Sequence, residues 1–111
     1  MLSLAALADP TRRRIVELLA VRDRTSGDLV DRFDISAPAV SQHLNILREA
    51  GLIVTRAEGQ SRIQALNPDG LAEVERWVAR TRRDWNRRLD ALEKALETDD
   101  ARNRKMKRRT D

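Results

Sequence analysis

The feature that most limits how this chain can fold is its last third. Asn67-Pro68 reads as a cap followed by proline at the first helical position, and the helix it opens can run to about Thr98, nearly 30 residues or about 45 Å at 1.5 Å per residue. Its apolar residues, Leu71, Val74, Val78, Trp85, Leu89, Leu92 and Leu96, with Thr81 filling the remaining step, fall at spacings of three, four and seven. That is a coiled-coil-like seam over about four heptads. Outside the seam the charges balance, seven basic against seven acidic between Asp69 and Thr98, as expected of a solvated helix exterior. The roughly 65 residues before it are too few to cover such a seam. The expected cover is the same helix of a second copy, assisted by the apolar face of Leu2, Leu4 and Leu7, in a two-fold dimer. Trp77 and Trp85, eight apart and within about 80° of each other around a helix, read as packing residues and not as a cofactor box.

Composition narrows the rest. At 111 residues and 41% hydrophobic content the chain is expected to form one domain over residues 1–98. Aromatics are 3% of residues, so the core must be built from Leu, Ile, Val and Ala, which favours helices over a large sheet. No run of 18 uncharged apolar residues is present, and "MLSLAALADP" is too short and lacks the basic start of a signal peptide. A cytoplasmic protein without a membrane partner is the expectation. The absence of cysteine removes disulfides, thiolate nucleophiles and sulfur-ligated metals, and a metal site would have to combine the one histidine, His43, with carboxylates. No catalytic triad or metal centre can be assembled from that inventory, so neither an enzyme nor a bound cofactor is expected.

The net charge of +4 suggests a nucleic-acid partner, but its distribution weakens the inference. Residues 1–98 carry 16 basic and 15 acidic side chains, whereas residues 99–111 carry 6 basic and 3 acidic. The excess sits in the end segment, which reads as a basic, disordered tail. Any case for DNA must come from the body of the chain.

That case starts with capping signals. Leu2, Leu4, Ala5 and Leu7 make a short apolar helix, and Asp9-Pro10 then opens "PTRRRIVELLA", with Ile15, Leu18 and Leu19 at helical spacing until the charged "VRDR" ends it. Thr25, three residues before Asp28, resembles a capping box for a two-turn helix that turns Leu29, Val30 and Phe33 inward. Asp34 and Ile35 form a turn, Ser36 is the next N-cap, and a second helix with Val40, Leu44 and Leu47 on its apolar side ends at Gly51, which suits a left-handed C-cap. Two short helices joined by a tight turn make a helix-turn-helix. On the far side of the second helix, Pro38, Ser41, Gln42 and Asn45 form a small, uncharged surface. Small residues such as Ala37 and Ser41 let the backbone approach base edges, and Gln42 offers both a donor and an acceptor.

After Gly51, "LIVTRAEGQSRIQAL" reads as strand, turn and strand. Leu52, Val54, Ile63 and Ala65 are expected inward, and Glu58-Gly59 is the turn signal. The fold class is therefore mainly α with a small β-hairpin, a winged helix-turn-helix with a long C-terminal dimerisation helix. The wing tip carries donors in Gln60, Ser61 and Arg62.

The order of these elements, together with "LADPTRRRIVELL", "ISAPAVSQHLNILREAGLI" and "EGQSR", closely resembles the ArsR family of bacterial winged-helix repressors over roughly residues 4–96. The resemblance implies a homodimer formed by the first and last helices, with paired recognition helices in successive major grooves of an inverted-repeat operator in double-stranded DNA. Carried over by position, Ser36, Ala37, Pro38, Ser41, Gln42 and His43 fall at the base-facing first turns of that helix. Asn45 and Arg48 fall nearer the DNA backbone, and Arg56, Gln60, Ser61 and Arg62 fall in the wing. Family wings are richer in arginine and carry an aromatic on the return strand, where this chain has Gln60 and Ile63. Metal-responsive members carry a cysteine pair near the recognition helix, or histidine and carboxylate pairs on the last helix. Neither is present, and Asp84, Asp90, Glu93 and Glu97 would make a weak transition-metal site. "RWVARTRRDWNRRLDALEKAL" looks like a non-metal, cysteine-free subgroup similar to autorepressors. The resemblance names no effector.

Three readings of His43 stay open: a DNA contact, a packing residue beside Leu47, or a proton-sensitive modulator. The rival to a DNA-binding repressor is a dimeric protein-interaction adaptor on a winged-helix scaffold, favoured by the near-neutral body.

Overall fold

The computed structural model describes the backbone of residues 2–110 and the side chains of residues 3–107. Leu2, expected on a dimer face, has its side chain outside the described residues. The element order is α1 (Leu2–Leu7), α2 (Pro10–Val21), β1 (Arg24–Thr25), α3 (Ser26–Asp31), α4 (Ala37–Glu49), β2 (Ile53–Glu58), β3 (Ser61–Leu66) and α5 (Pro68–Thr110). Contacts divide the chain into two compact units, Met1–Glu75 and Arg76–Asp111. Among the described residues, no helix is long and apolar enough to cross a membrane.

In the first unit the helix boundaries follow from capping chemistry. Asp9 accepts from the Arg12 N–H, Thr25 from the Asp28 N–H and Ser36 from the Ala39 N–H, so each of α2, α3 and α4 begins with a satisfied orphan donor. The end of α1 is closed by side chains from the next helix. The Arg12 Nε donates to the Ala6 carbonyl at 2.6 Å, and Arg13 donates to the carbonyls of Leu7 and Ala8 at 2.9 and 3.0 Å. The "DPTRR" run thus caps one helix forward and the previous one backward, with cations at the negative end of a helix dipole.

The core gathers Ala6, Ile15, Leu18, Leu19, Leu29, Val40, Leu44, Leu47, Leu52 and Ile53. Leu7, Phe33, Leu71 and Val74 pack against it from the rim. Three positions expected at a dimer seam, Leu7, Leu71 and Val74, are therefore at least partly covered within the chain.

The sheet differs from expectation in two ways. It has a third strand: Arg24, expected only to end α2, and Thr25, expected only as the cap of α3, pair antiparallel with Gln64 and Ile63, giving the order β1-β3-β2. The inward face of β2 is also the opposite one. Leu52 is buried as expected, but it lies in the bend before the strand, and Ile53 follows it inward at 1% exposure while Val54 points out at 49%. On β3 the fully buried residue is Gln64, and Ile63 and Ala65, expected inward, are only half-buried. The cause lies in the turn: Gly51, at φ 77, redirects the chain so that two successive residues enter the core before the alternation starts. The register Glu58↔Ser61 leaves Gly59-Gln60 as a two-residue loop, and Gly59 at φ 61 suits the first central position of a type II′ turn.

Where α5 starts, Asn67 ties it to the same turn. Its side-chain amide donates to the Gly51 carbonyl at 2.9 Å, its oxygen accepts from the Asp69 N–H, and its backbone N–H donates to Leu52. The helix, expected to stop near Thr98, continues to Thr110, and the basic stretch read as a disordered tail forms its last turns. With Arg102, Arg104, Lys105 and Lys107 toward its C-terminal end, that stretch places cations where the helix dipole favours them.

Candidate nucleic-acid interface

The polar side of α4 is arranged as its capping and periodicity require. With Val40, Leu44 and Leu47 buried, Ser36, Ala37, Pro38, Ser41, Gln42 and Asn45 are exposed, and Pro38, Ser41, Gln42 and Asn45 line up at spacings of three and four. No charged side chain interrupts that stripe between Ala37 and Asn45. His43 differs from its neighbours. Its side chain is 22% exposed, and its Nδ1 faces Arg12 Nη1 at 3.3 Å and Asp9 Oδ2 at 3.9 Å. Because a guanidinium only donates, Nδ1 accepts and the ring proton sits on Nε2. Asp9 is held ionised below its ordinary range, first by the Arg12 backbone N–H it accepts and further by the nearby Arg12 guanidinium. His43 thus bridges α4 to the start of α2 through these polar contacts.

Arg48 also turns inward. It donates to Asn45 Oδ1 at 2.7 Å and to the Thr55 hydroxyl at 3.0 Å. From Thr55 the bonding passes to the buried Gln64 and on to Ser26, at the start of α3. Asn45 is exposed, whereas Arg48 is only half-exposed.

In the wing, Gln60, Ser61 and Arg62 are exposed around the tight turn, as expected. Arg56 is exposed but engaged: it lies 3.0 Å from Asp23 and 3.9 Å from Glu58. Asp23, Arg12, Ser26, Thr55 and Gln64 were all missed in the sequence. Only the last could have signalled itself, as an amide between apolar neighbours in a strand.

In the second unit, α5 presents Trp77, Val78, Trp85, Leu89, Leu92 and Leu96 to solvent. Trp77, Val78, Thr81, Trp85 and Leu89 line one shallow groove together with Arg82 and Asn86. Arg88 lies over the Trp85 ring at 5.4 Å. The apolar seam residues Val78, Trp85, Leu89, Leu92 and Leu96 remain 40–57% exposed.

A capped helix-turn-helix carrying an uncharged exposed stripe, followed at once by a tight β-hairpin whose sheet β1 completes, defines the winged-helix class of DNA-binding regulators. A family model described as bacterial regulatory protein, arsR family, matches residues 9–55, from the Asp9 cap to the middle of β2. The transcriptional repressor SdpR of Bacillus subtilis is 42% identical over 73 residues, covering 66% of this chain and 81% of that protein. An HTH-type transcriptional regulator of Mycobacterium tuberculosis is 39% identical over 94 residues, 85% of each chain. Among solved structures, an ArsR-like transcriptional regulator from Rhodococcus superposes with a TM-score of 0.70 at 31% identity, over 80% of this chain and 84% of that one. The chain belongs to the arsR family of bacterial regulatory proteins. It is a transcriptional regulator and not an enzyme.

Proposed function

We propose that this regulator is a cytoplasmic homodimer that represses transcription by occupying an inverted-repeat operator in double-stranded DNA. The observation that carries the reading is the exposed stripe of Pro38, Ser41, Gln42 and Asn45 on α4, small and uncharged where a groove about 12 Å wide must admit a helix. Ser41 and Gln42 meet base edges, and Gln60, Ser61 and Arg62 at the wing tip meet the sugar-phosphate backbone. The exposed row from Trp77 to Leu96 on α5 supports pairing with a second copy, which would bury it and place two α4 helices at half-sites related by a two-fold axis. Repression is the function that the name of the SdpR relative records for that protein.

The test is a mobility-shift titration of the purified protein on the DNA upstream of its own gene, beside a random duplex, at two salt concentrations. Preference for one inverted-repeat fragment, with affinity falling steeply as salt rises, is the expected result. Equal affinity for random duplex at both salts would overturn the operator reading in favour of the adaptor.

A further inference from the structure

The polar groups at the foot of the wing form one directed hydrogen-bond chain. Arg48 donates in two directions, from Nη1 to Asn45 Oδ1 at 2.7 Å and from Nε to Thr55 Oγ1 at 3.0 Å. The Thr55 hydroxyl donates to Gln64 Oε1 at 2.6 Å, and Gln64 Nε2 donates to Ser26 Oγ at 3.0 Å. Its direction is forced by chemistry. A guanidinium has no acceptor, so Asn45 must turn its amide oxygen toward Arg48. Thr55 Oγ, already accepting from Arg48, spends its single proton on Gln64, whose amide nitrogen is left for Ser26. Gln64 is 1% exposed, and its two amide atoms are both satisfied by this chain, so the orientation at its buried end is costly to reverse.

The consequence appears at the exposed end. Asn45 lies on the stripe with Ser41 and Gln42, and with its oxygen held by Arg48 it faces outward with its two amide N–H groups. Guanine presents two acceptors, N7 and O6, in the major groove, whereas adenine presents one acceptor and one donor, thymine a single acceptor, O4, beside its methyl group, and cytosine only a donor, so guanine alone can take both amide N–H groups. We propose that Arg48 is a positioning residue that sets Asn45 as a donor-only reader, so that one base pair of each half-site is fixed as guanine on the strand facing Asn45. The proposal rests on α4 being the DNA-reading helix. It departs from the sequence expectation that Asn45 and Arg48 both lie nearer the DNA backbone than the bases.

The experiment is selection of bound duplexes from a randomised pool by the full-length protein, followed by affinities of the selected site and its single-base variants across a salt series. Wild type is expected to favour guanine at one symmetric position by about tenfold. In Arg48→Met that preference falls to near parity, while the other positions and the slope of affinity against salt stay as they were. Asn45→Asp, which can only accept, moves the preference at the same position toward cytosine. Thr55→Val breaks the chain from the wing side and lowers the same preference, which keeps the test available should Arg48→Met fail to fold. A loss in Arg48→Met that is equal on all sequences, with the salt slope shallower by about one, would mean a phosphate contact and overturn the proposal. Unchanged guanine preference in both Arg48→Met and Thr55→Val overturns it as well. A wild type that selects no sequence overturns the reading helix itself, which separates that failure from a failure of Arg48.

Discussion

Gly70 stands against the backbone of Gly51: a Cβ on Gly70 would lie 2.8 Å from the Gly51 carbonyl carbon and nearer still to its oxygen. The first turn of α5 therefore touches the turn between α4 and β2 through bare backbone, and Asn67 bonds to the same carbonyl. Neither partner can yield as a flexible side chain would.

Gly70→Ala should cost roughly 2 to 4 kcal/mol, since an added methyl must displace main chain on both sides. Gly27→Ala is the control. Its nearest neighbour would be the Thr25 hydroxyl at 3.9 Å, an ordinary contact, and it lies inside α3, so the change should be neutral or stabilising by up to about 1 kcal/mol. Urea melts of both variants check the pair, and similar midpoints would refute the close approach.

Base reading should separate from backbone contact by mutation. Gln42→Ala is expected to lower discrimination between operator and altered sites by about 1 to 3 kcal/mol, whereas Arg62→Ala weakens every sequence alike. Titrations on matched and mismatched duplexes measure both. Undiminished operator preference in Gln42→Ala would remove that residue from the reading set.

Introducing a carboxylate into the exposed row of α5 should prevent pairing. Leu89→Asp or Trp85→Asp is expected to sediment as a monomer and to lose the affinity that two linked half-sites provide. Either variant sedimenting as a dimer with full operator affinity would place the interface elsewhere.

Acid should loosen the junction of α2, β1 and α3. Asp28 is held below its ordinary value of 3.8, first by the hydrogen bond from Arg24 and then by Arg32. A carboxyl whose folded pKa is depressed contributes fully above its unfolded pKa, and loses that contribution as pH falls from there through the folded value. Asp9 behaves the same way, through the Arg12 N–H. Stability measured by thermal melts from pH 6 downward should therefore fall below about pH 4 in the wild type, and less steeply in Asp28→Asn. An identical acid limb in the two proteins would contradict the assignment.

Much of this architecture was legible because capping residues are local signals. Asp9, Thr25 and Ser36 each accept from the N–H three residues on, and their positions alone marked α2, α3 and α4. The wing was harder. Alternation treats apolar residues as inward, so Val54, Ile63 and Ala65 were expected there, but the buried position belongs to an amide, Gln64, that two other elements, β2 and α3, satisfy. Register of that kind depends on partners 9 and 38 residues away and leaves no periodic trace. Strand β1 is two residues long, too short for any pattern. The stripe on α4 was visible, but the bonds of Arg48 to Asn45 and Thr55 were not, because sequence shows a charge without its direction.

Arg56 has a bearing on how any salt titration of this protein is interpreted. With Asp23 at 3.0 Å and Glu58 at 3.9 Å, its charge is already neutralised by the protein's own carboxylates. A polyanion that recruits Arg56 swaps one set of anionic oxygens for another and frees few condensed cations in doing so. The number of phosphates inferred from ionic strength would then fall below the number seen by footprinting, and the shortfall per protomer would measure how firmly the wing holds its arginine.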